Sequence, residues 1–141
     1  MSEGLLFVDD EREKVELAAE ILAESLDTEV TVVDSVEQAI GLLQERRWRA
    51  VVLDLFIPLG EHAERTLGPR ARKFQENVEH LGGLLLLDEL DRLSDPPVVI
   101  SHTACTDPVL HELFEGRVAR MIPKPAPLEV LLAALMEELA L

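Results

Sequence analysis

The chain has 141 residues, of which 48% are hydrophobic and 29% charged, and its formal net charge is -15. This length and composition predict one globular domain with a substantial core and argue against wholesale disorder. The negative charge argues against binding to a nucleic-acid backbone, which needs clustered Lys and Arg, and no apolar run is long enough to cross a membrane.

Cysteine usage and the N-terminal sequence bear on the compartment. The chain has a single cysteine, Cys105, which excludes an internal disulfide, and its first residues do not resemble a signal peptide. Both features are typical of a reducing compartment, so we expect a cytoplasmic protein. No cluster of Cys or His surrounds Cys105, which argues against a zinc site.

Five short runs of apolar and β-branched residues predict strands, and most of them are separated by apolar residues at helical spacing. The runs lie at 5–8, 29–33, 50–54, 98–100 and around 122, and the helical patterns at 11–26, 35–43, 84–93, 108–114 and from 127 onward. Ser35 is expected to cap the second helix, with Gln38 as its capping-box partner. Alternating strands and helices predict a doubly wound α/β sheet with right-handed crossovers.

One segment departs from this plan. Between Pro58 and Gly83 lie 24 residues, far more than a usual strand-to-helix loop. Apolar residues within 70–81 have helical spacing, so we expect an extra helix in an inserted segment at about 59–82. Two roles stay open for this segment: a surface decoration, or a lid or docking element that presents basic residues to an acidic partner. These basic residues are Arg65, Arg70, Arg72 and Lys73.

Four of the predicted strands end in a polar, reactive side chain. Asp9 and Asp10 follow the first strand, Asp54 closes the third, Ser101 follows the fourth and Lys124 follows the fifth. Ligands bind beyond the carboxyl ends of parallel strands, so these side chains should meet in one crevice. Taken alone, the acidic pair could simply cap a helix. Three converging carboxylates repel one another, however, and Mg²⁺ would remove that conflict, while the lysine and the hydroxyl suit a phosphoryl group.

With these residues the chain closely resembles the receiver domain of two-component response regulators. The matching motifs are LFVDDE at 6–11, VLDL at 52–55, VVIS at 98–101 and PKP at 123–125. They occur in order at the predicted strand ends, and the resemblance spans the chain apart from the inserted segment. It implies a single receiver domain over 1–141 with a flavodoxin-like, five-stranded parallel sheet in the order 2-1-3-4-5. The inserted segment would lie between strand 3 and helix 3.

The resemblance implies a phosphoacceptor and a magnesium site. Asp54 would accept the phosphoryl group, and Asp9 and Asp10 would be the acidic pair that holds Mg²⁺, with Asp10 the more direct ligand. The backbone carbonyl of Phe56, two residues after the acceptor, would complete the ligands that the protein provides.

The resemblance also implies a set of switch residues. Lys124 would contact the phosphoryl group, and the Lys124–Pro125 bond would be cis, which proline permits. Ser101 would be the hydroxyl that moves toward the phosphoryl oxygens, because it terminates the apolar run. Thr103 is the alternative. Met121 stands where the family usually has an aromatic switch residue, so the aromatic flip cannot occur in its usual form.

The function implied is that of a phosphorylatable receiver in a phosphorelay, with self-phosphorylation and self-dephosphorylation as its only chemistry. The phosphoryl group would come from a histidine kinase, a histidine phosphotransfer protein or a small acyl phosphate. The chain ends directly after the last predicted helix, so we expect a stand-alone receiver that signals to a separate output protein. The signal would pass through the fourth strand, fourth helix and fifth strand. Nucleic acid and membrane are not expected as partners, and a homodimer is left open.

Two other functions were weighed. A receiver-like adaptor that works without phosphorylation is favoured by Met121 and the inserted segment, and is opposed by the intact acids and lysine. A phosphohydrolase with an aspartyl nucleophile would need a second acid two residues after that nucleophile, to protonate the leaving group. Phe56 occupies that position and cannot do so.

Overall fold

The computed structural model describes residues 4–57 and 82–139. Its strands are β1 (Gly4–Val8), β2 (Val30–Val33), β3 (Trp48–Leu53), β4 (Val98–Thr103) and β5 (Arg120–Pro123). Its helices are α1 (Arg12–Leu26), α2 (Val36–Glu45), α3 (Gly82–Asp91), α4 (Pro108–Glu115) and α5 (Leu128–Leu139). The predicted inserted segment lies outside the described residues, apart from Gly82. Over these two ranges, no helix has the length and apolar character that a membrane span requires.

The five strands form one parallel sheet in the order β2-β1-β3-β4-β5. Phe7 at the centre of the sheet pairs in register with Val32 on one side and with Val52 on the other. This arrangement confirms the predicted fold and strand order. Continuous apolar runs identified the inner strands because a sheet covered by helices on both faces buries them on both sides: every residue of β1 and all but one of β3 are buried.

Successive strand side chains point to opposite faces, which divides the core into two layers. One layer packs under α2, α3 and α4 and the other under α1 and α5. The run from Leu84 to Leu87 lies in the first layer, and none of its four residues is more than 1% exposed. Each buried leucine contributes roughly 1.5–3 kcal/mol of transfer free energy. These leucines are therefore core residues.

Two helices begin with side-chain caps, and the sequence suggested the first of them. The Ser35 hydroxyl accepts a hydrogen bond from the backbone N–H of Gln38 at 3.3 Å. The Gln38 side chain accepts in return from the N–H of Asp34 at 3.1 Å, one residue before the expected partner. At the start of α4, the Asp107 carboxylate accepts from the N–H of Val109 at 2.9 Å. Each cap satisfies a donor that the helix itself cannot pair.

β3 and β4 depart most from their predicted bounds. β3 begins at Trp48, which is 5% exposed and donates its indole N–H to the carbonyl of Leu42 at 3.0 Å. The predicted strand began only at residue 50. β4 continues to Thr103 because His102 and Thr103 pair with Ile122 and Pro123 of β5. Because β4 extends to Thr103, Ser101 lies inside the strand and Thr103 lies at its end.

Candidate functional site

The sheet itself positions three of the predicted site residues. Asp9 donates its backbone N–H to β2 at 3.0 Å, Asp54 donates to β1 at 3.1 Å, and Lys124 donates to β4 at 3.0 Å. Each residue thus extends the ladder between neighbouring strands by one hydrogen bond. The side chains therefore stand on rigid backbone at the carboxyl edge of the sheet, where parallel α/β folds bind ligands.

Lys124 joins the two buried acids of the site. Its ammonium lies 2.6 Å from Asp9 Oδ2 and 2.9 Å from Asp54 Oδ2. Asp9 is 4% exposed and Asp54 is 5% exposed, so both charges depend on this partner. Burial alone would lower the pKa of Lys124, but its hydrogen bonds to Asp9 and Asp54 outweigh burial and raise that pKa overall. Lys124 is therefore a fixed cation at neutral pH.

Asp10 completes a cluster of three carboxylates. Asp9, Asp10 and Asp54 each offer one oxygen, and these oxygens all lie within 4.8 Å of one another. Partial burial raises the pKa of Asp10, and the negative charges of Asp54 and Asp9 raise it further. One lysine thus faces three acids, which leaves excess negative charge at the site.

The donor set suits a small divalent cation. Carboxylate oxygens are the ligands that Mg²⁺ takes in proteins, usually one or two of them together with water and phosphate oxygens. A cation here would relieve the repulsion that raises the pKa of Asp10. The fourth predicted ligand is the carbonyl of Phe56, two residues after Asp54. The N–H of Phe56 donates to Asp54 Oδ1 at 3.2 Å. The residues present therefore fit the predicted magnesium site.

The two candidate hydroxyls lie on the same strand. Ser101 is inside β4, in register with Leu53 and Met121, and is 1% exposed. Its Oγ has no hydrogen-bond partner within the described parts of the chain. Thr103 is the last residue of β4, and its Oγ1 accepts from the N–H of Cys105 at 3.3 Å. Ser101 was preferred because it ends an apolar run, but the strand continues past it.

The remaining predicted residues border the site. The Lys124–Pro125 peptide bond is cis, as the resemblance implies. Met121 is partly buried against the core layer under α2, α3 and α4. His102 is half-buried and, with Lys124, lines a cavity of about 420 Å³ next to α1 and α5. Burial lowers the pKa of His102, and the charge of Lys124 lowers it further.

Sequence reasoning missed two features of the site. Glu11 is the third acid to pair with Lys124: its Oε1 lies 3.6 Å from the ammonium, although 44% of its side chain is exposed. The position of Glu11 directly after Asp9 and Asp10 is the sequence feature that could have indicated its place near the site. The other feature is the start of α3, where Gly82 and Gly83 pack against the loop that follows Asp54. Nothing in the spacing of that glycine pair indicates such a contact.

Comparison with known proteins supports the fold. No protein-family model and no curated protein sequence matches the chain. A response-regulator receiver domain from Methanospirillum hungatei is 16% identical with a TM-score of 0.76, covering 99% of this chain and 95% of that one. The receiver domain of a putative Luxo repressor from Vibrio parahaemolyticus is 18% identical with a TM-score of 0.74, covering 99% and 92%.

A third solved structure is the BeF3-activated N-terminal receiver domain of RstA from Klebsiella pneumoniae. It is 21% identical with a TM-score of 0.72, and the match covers 99% of this chain and 100% of that one. In all three matches the similarity extends over essentially the whole chain at low identity. The chain therefore has the fold of response-regulator receiver domains.

Proposed function

We propose that this protein is a phosphorylatable receiver of a two-component phosphorelay, with Asp54 as the phosphoacceptor. The observation that supports this most strongly is the ammonium of Lys124, which bridges the buried carboxylates of Asp9 and Asp54. Asp10 adds a third carboxylate to the same cluster. A buried lysine–aspartate pair next to excess negative charge is an expensive arrangement for stability alone.

The chemistry proposed is transfer of a phosphoryl group to the Asp54 carboxylate. An oxygen of Asp54 attacks phosphorus, and the bond from phosphorus to the donor breaks, so that the donor leaves with the electron pair. The donor is a phosphohistidine of a kinase or phosphotransfer protein, or a small acyl phosphate. Both oxygens of Asp54 already accept a hydrogen bond, one from Lys124 Nζ and the other from the N–H of Phe56. These bonds fix the orientation of the nucleophile before the donor arrives.

Charge compensation would come from Lys124 and a divalent cation. Asp9, Asp10, Asp54 and the carbonyl of Phe56 would hold Mg²⁺, which supplies positive charge to the phosphoryl oxygens when it is bound. Lys124 supplies the other positive charge that balances the carboxylates of the site. With a phosphoryl group on Asp54, its ammonium is free to turn from the carboxylates to the new oxygens.

Phosphorylation would change the surface formed by β4, α4 and β5, and a separate output protein would bind the changed surface. Ser101 and Thr103 are the hydroxyls that could follow the phosphoryl group. The observed end of β4 at Thr103 favours Thr103, because it is the last residue of its strand and so stands at the carboxyl edge of the sheet, whereas Ser101 pairs with Leu53 inside the sheet. Met121 in the neighbouring strand would respond by repacking, in place of an aromatic flip.

The test is incubation with acetyl phosphate and Mg²⁺, followed by mass spectrometry of the intact protein. We expect one phosphoryl adduct, which Asp54→Asn abolishes. Asp95→Asn is the matched control, since that side chain is 67% exposed and precedes β4 at the opposite end of the sheet. An unmodified wild-type protein would overturn the proposal and favour the adaptor function that the methionine at position 121 suggests.

A further inference from the structure

The loop that carries the predicted carbonyl ligand is a tight turn centred on Phe56. The N–H of Ile57 donates to the carbonyl of Leu55 at 3.1 Å, which closes the turn across a single residue. The N–H of Phe56 donates to Asp54 Oδ1 at 3.2 Å. This turn ties the backbone around Phe56 to the carboxylate of Asp54.

The start of α3 holds this turn from the other side. The N–H of Gly83 donates to the carbonyl of Leu55 at 3.0 Å, and the N–H of Gly82 donates to the carbonyl of Ile57 at 2.9 Å. The first N–H groups of a helix have no partner within that helix, so these two are available to the loop. Both carbonyls that flank Phe56 are thereby occupied. Over residues 4–57 and 82–139, the carbonyl of Phe56 itself accepts no hydrogen bond.

No side chain larger than hydrogen fits at either glycine. A Cβ on Gly83 would lie 2.6 Å from both the carbonyl oxygen of Asp54 and the Cα of Leu55. A Cβ on Gly82 would lie 2.3 Å from the carbonyl oxygen of Ile57. Because the closest obstructing atoms at both positions are backbone atoms, a substitution must move the start of α3 and the loop that carries Asp54 apart.

We propose that Gly82 and Gly83 are positioning residues for the cation site, because they fix the turn around Phe56 and leave its carbonyl without a hydrogen bond from any described residue. The inference rests on the proposed function, in which that carbonyl is a ligand. Residues that orient ligands without touching the ion commonly change metal affinity by about 10- to 100-fold. The coupling is also reciprocal: a cation that binds the oriented loop must strengthen the two glycine hydrogen bonds.

The first experiment measures Mg²⁺ affinity by calorimetry for wild type, Gly83→Ala and the control Gly41→Ala. Gly41 lies in α2, and a Cβ there meets nothing within 4 Å. We expect Gly83→Ala to raise the Mg²⁺ dissociation constant about tenfold or more, and Gly41→Ala to leave it unchanged. Circular dichroism verifies that both variants are folded. A purely structural role of Gly83 would lower thermal stability without changing the Mg²⁺ affinity. Equal Mg²⁺ affinity in wild type and folded Gly83→Ala overturns the inference.

The second experiment needs no variant and decides the matter if Gly83→Ala does not fold. Amide hydrogen exchange is measured in wild type with and without saturating Mg²⁺. We expect the N–H groups of Gly82 and Gly83 to exchange about tenfold more slowly with Mg²⁺, by the reciprocity above. The N–H of Arg46, at the far end of the sheet and bonded to Leu42 at 3.3 Å, is the reference. Protection that changes no more at the glycines than at Arg46 overturns the inference.

Failure of the proposed function gives a different result. If wild type does not bind Mg²⁺, or binds it equally after Asp10→Asn, the carboxylate cluster is not the cation site and both proposals are withdrawn. If wild type binds Mg²⁺ and Asp10→Asn does not, the cation site stands. The glycine variant and the exchange rates then decide the positioning role on their own.

Discussion

Removing the charge of Lys124 should destabilise the fold far more than removing a surface charge. Lys124→Met keeps most of the aliphatic side chain but deprives Asp9 and Asp54 of the ammonium that lies 2.6 and 2.9 Å away. Both acids are at most 5% exposed, so neither gains full hydration in exchange. Breaking a buried pair by removing one partner costs about 3–5 kcal/mol. We therefore expect the free energy of unfolding to fall by about that amount at neutral pH without divalent ions.

Urea denaturation measures this loss, and Lys14→Met is the matched control. Lys14 pairs with Glu11 at 2.7 Å, but its side chain is 80% exposed, so its removal should leave the free energy of unfolding nearly unchanged. Saturating Mg²⁺ should return a large part of the stability that Lys124→Met loses, because a cation again faces the buried carboxylates. A loss below about 1 kcal/mol for Lys124→Met, similar to the control, would refute the view that this lysine is the counter-charge of the site.

Three further predictions concern other parts of the molecule. Ser101→Ala removes a buried hydroxyl that has no hydrogen-bond partner among residues 4–57 and 82–139. Urea denaturation should therefore show no loss of unfolding free energy, or a gain of up to about 1 kcal/mol; a clear loss would indicate a partner. Phe56→Asn should shorten the lifetime of the phosphorylated state in a radiolabel assay. The apolar side chain of Phe56, which is 41% exposed and close to Asp54 in the chain, hinders the attack of water on the acyl phosphate. An equal or longer lifetime in the variant would argue against this shielding. Replacing residues 58–81 with a linker of about four residues should keep unfolding cooperative and change the free energy of unfolding by no more than about 2 kcal/mol. The reason is that Ile57 and Gly82 are already joined by a 2.9 Å hydrogen bond. Non-cooperative unfolding of the shortened protein would contradict this prediction.

The fold could be predicted because its strands are buried on both faces. The apolar runs at β1 and β3 stand out for this reason, and the acids that follow them mark the carboxyl edge of the sheet. Convergence of Asp9, Asp54 and Lys124 then follows from parallel pairing alone. Lys124 forms ion pairs with both acids, and its contact with a phosphoryl group stays a prediction.

The details that the sequence did not reveal depend on neighbouring chain segments. The end of β4 is polar, so no apolar pattern extends the strand to Thr103; pairing with β5 does. Trp48 joins β3 through its pairing with Gly4. The role of Gly82 and Gly83 arises from close contact between backbones distant in sequence, which no periodicity records.

The central claim is that one edge of the sheet binds a cation and a phosphoryl group on Asp54. A crystal structure of the protein with Mg²⁺ and beryllofluoride, which mimics a phosphoryl group, tests it most directly. The account predicts beryllofluoride on the carboxylate of Asp54, Mg²⁺ on Asp10, Asp54 and the Phe56 carbonyl, and the Lys124 ammonium turned toward fluorine. Beryllofluoride absent from Asp54, with Lys124 still bonded to Asp9 and Asp54 in the presence of both ions, would contradict it.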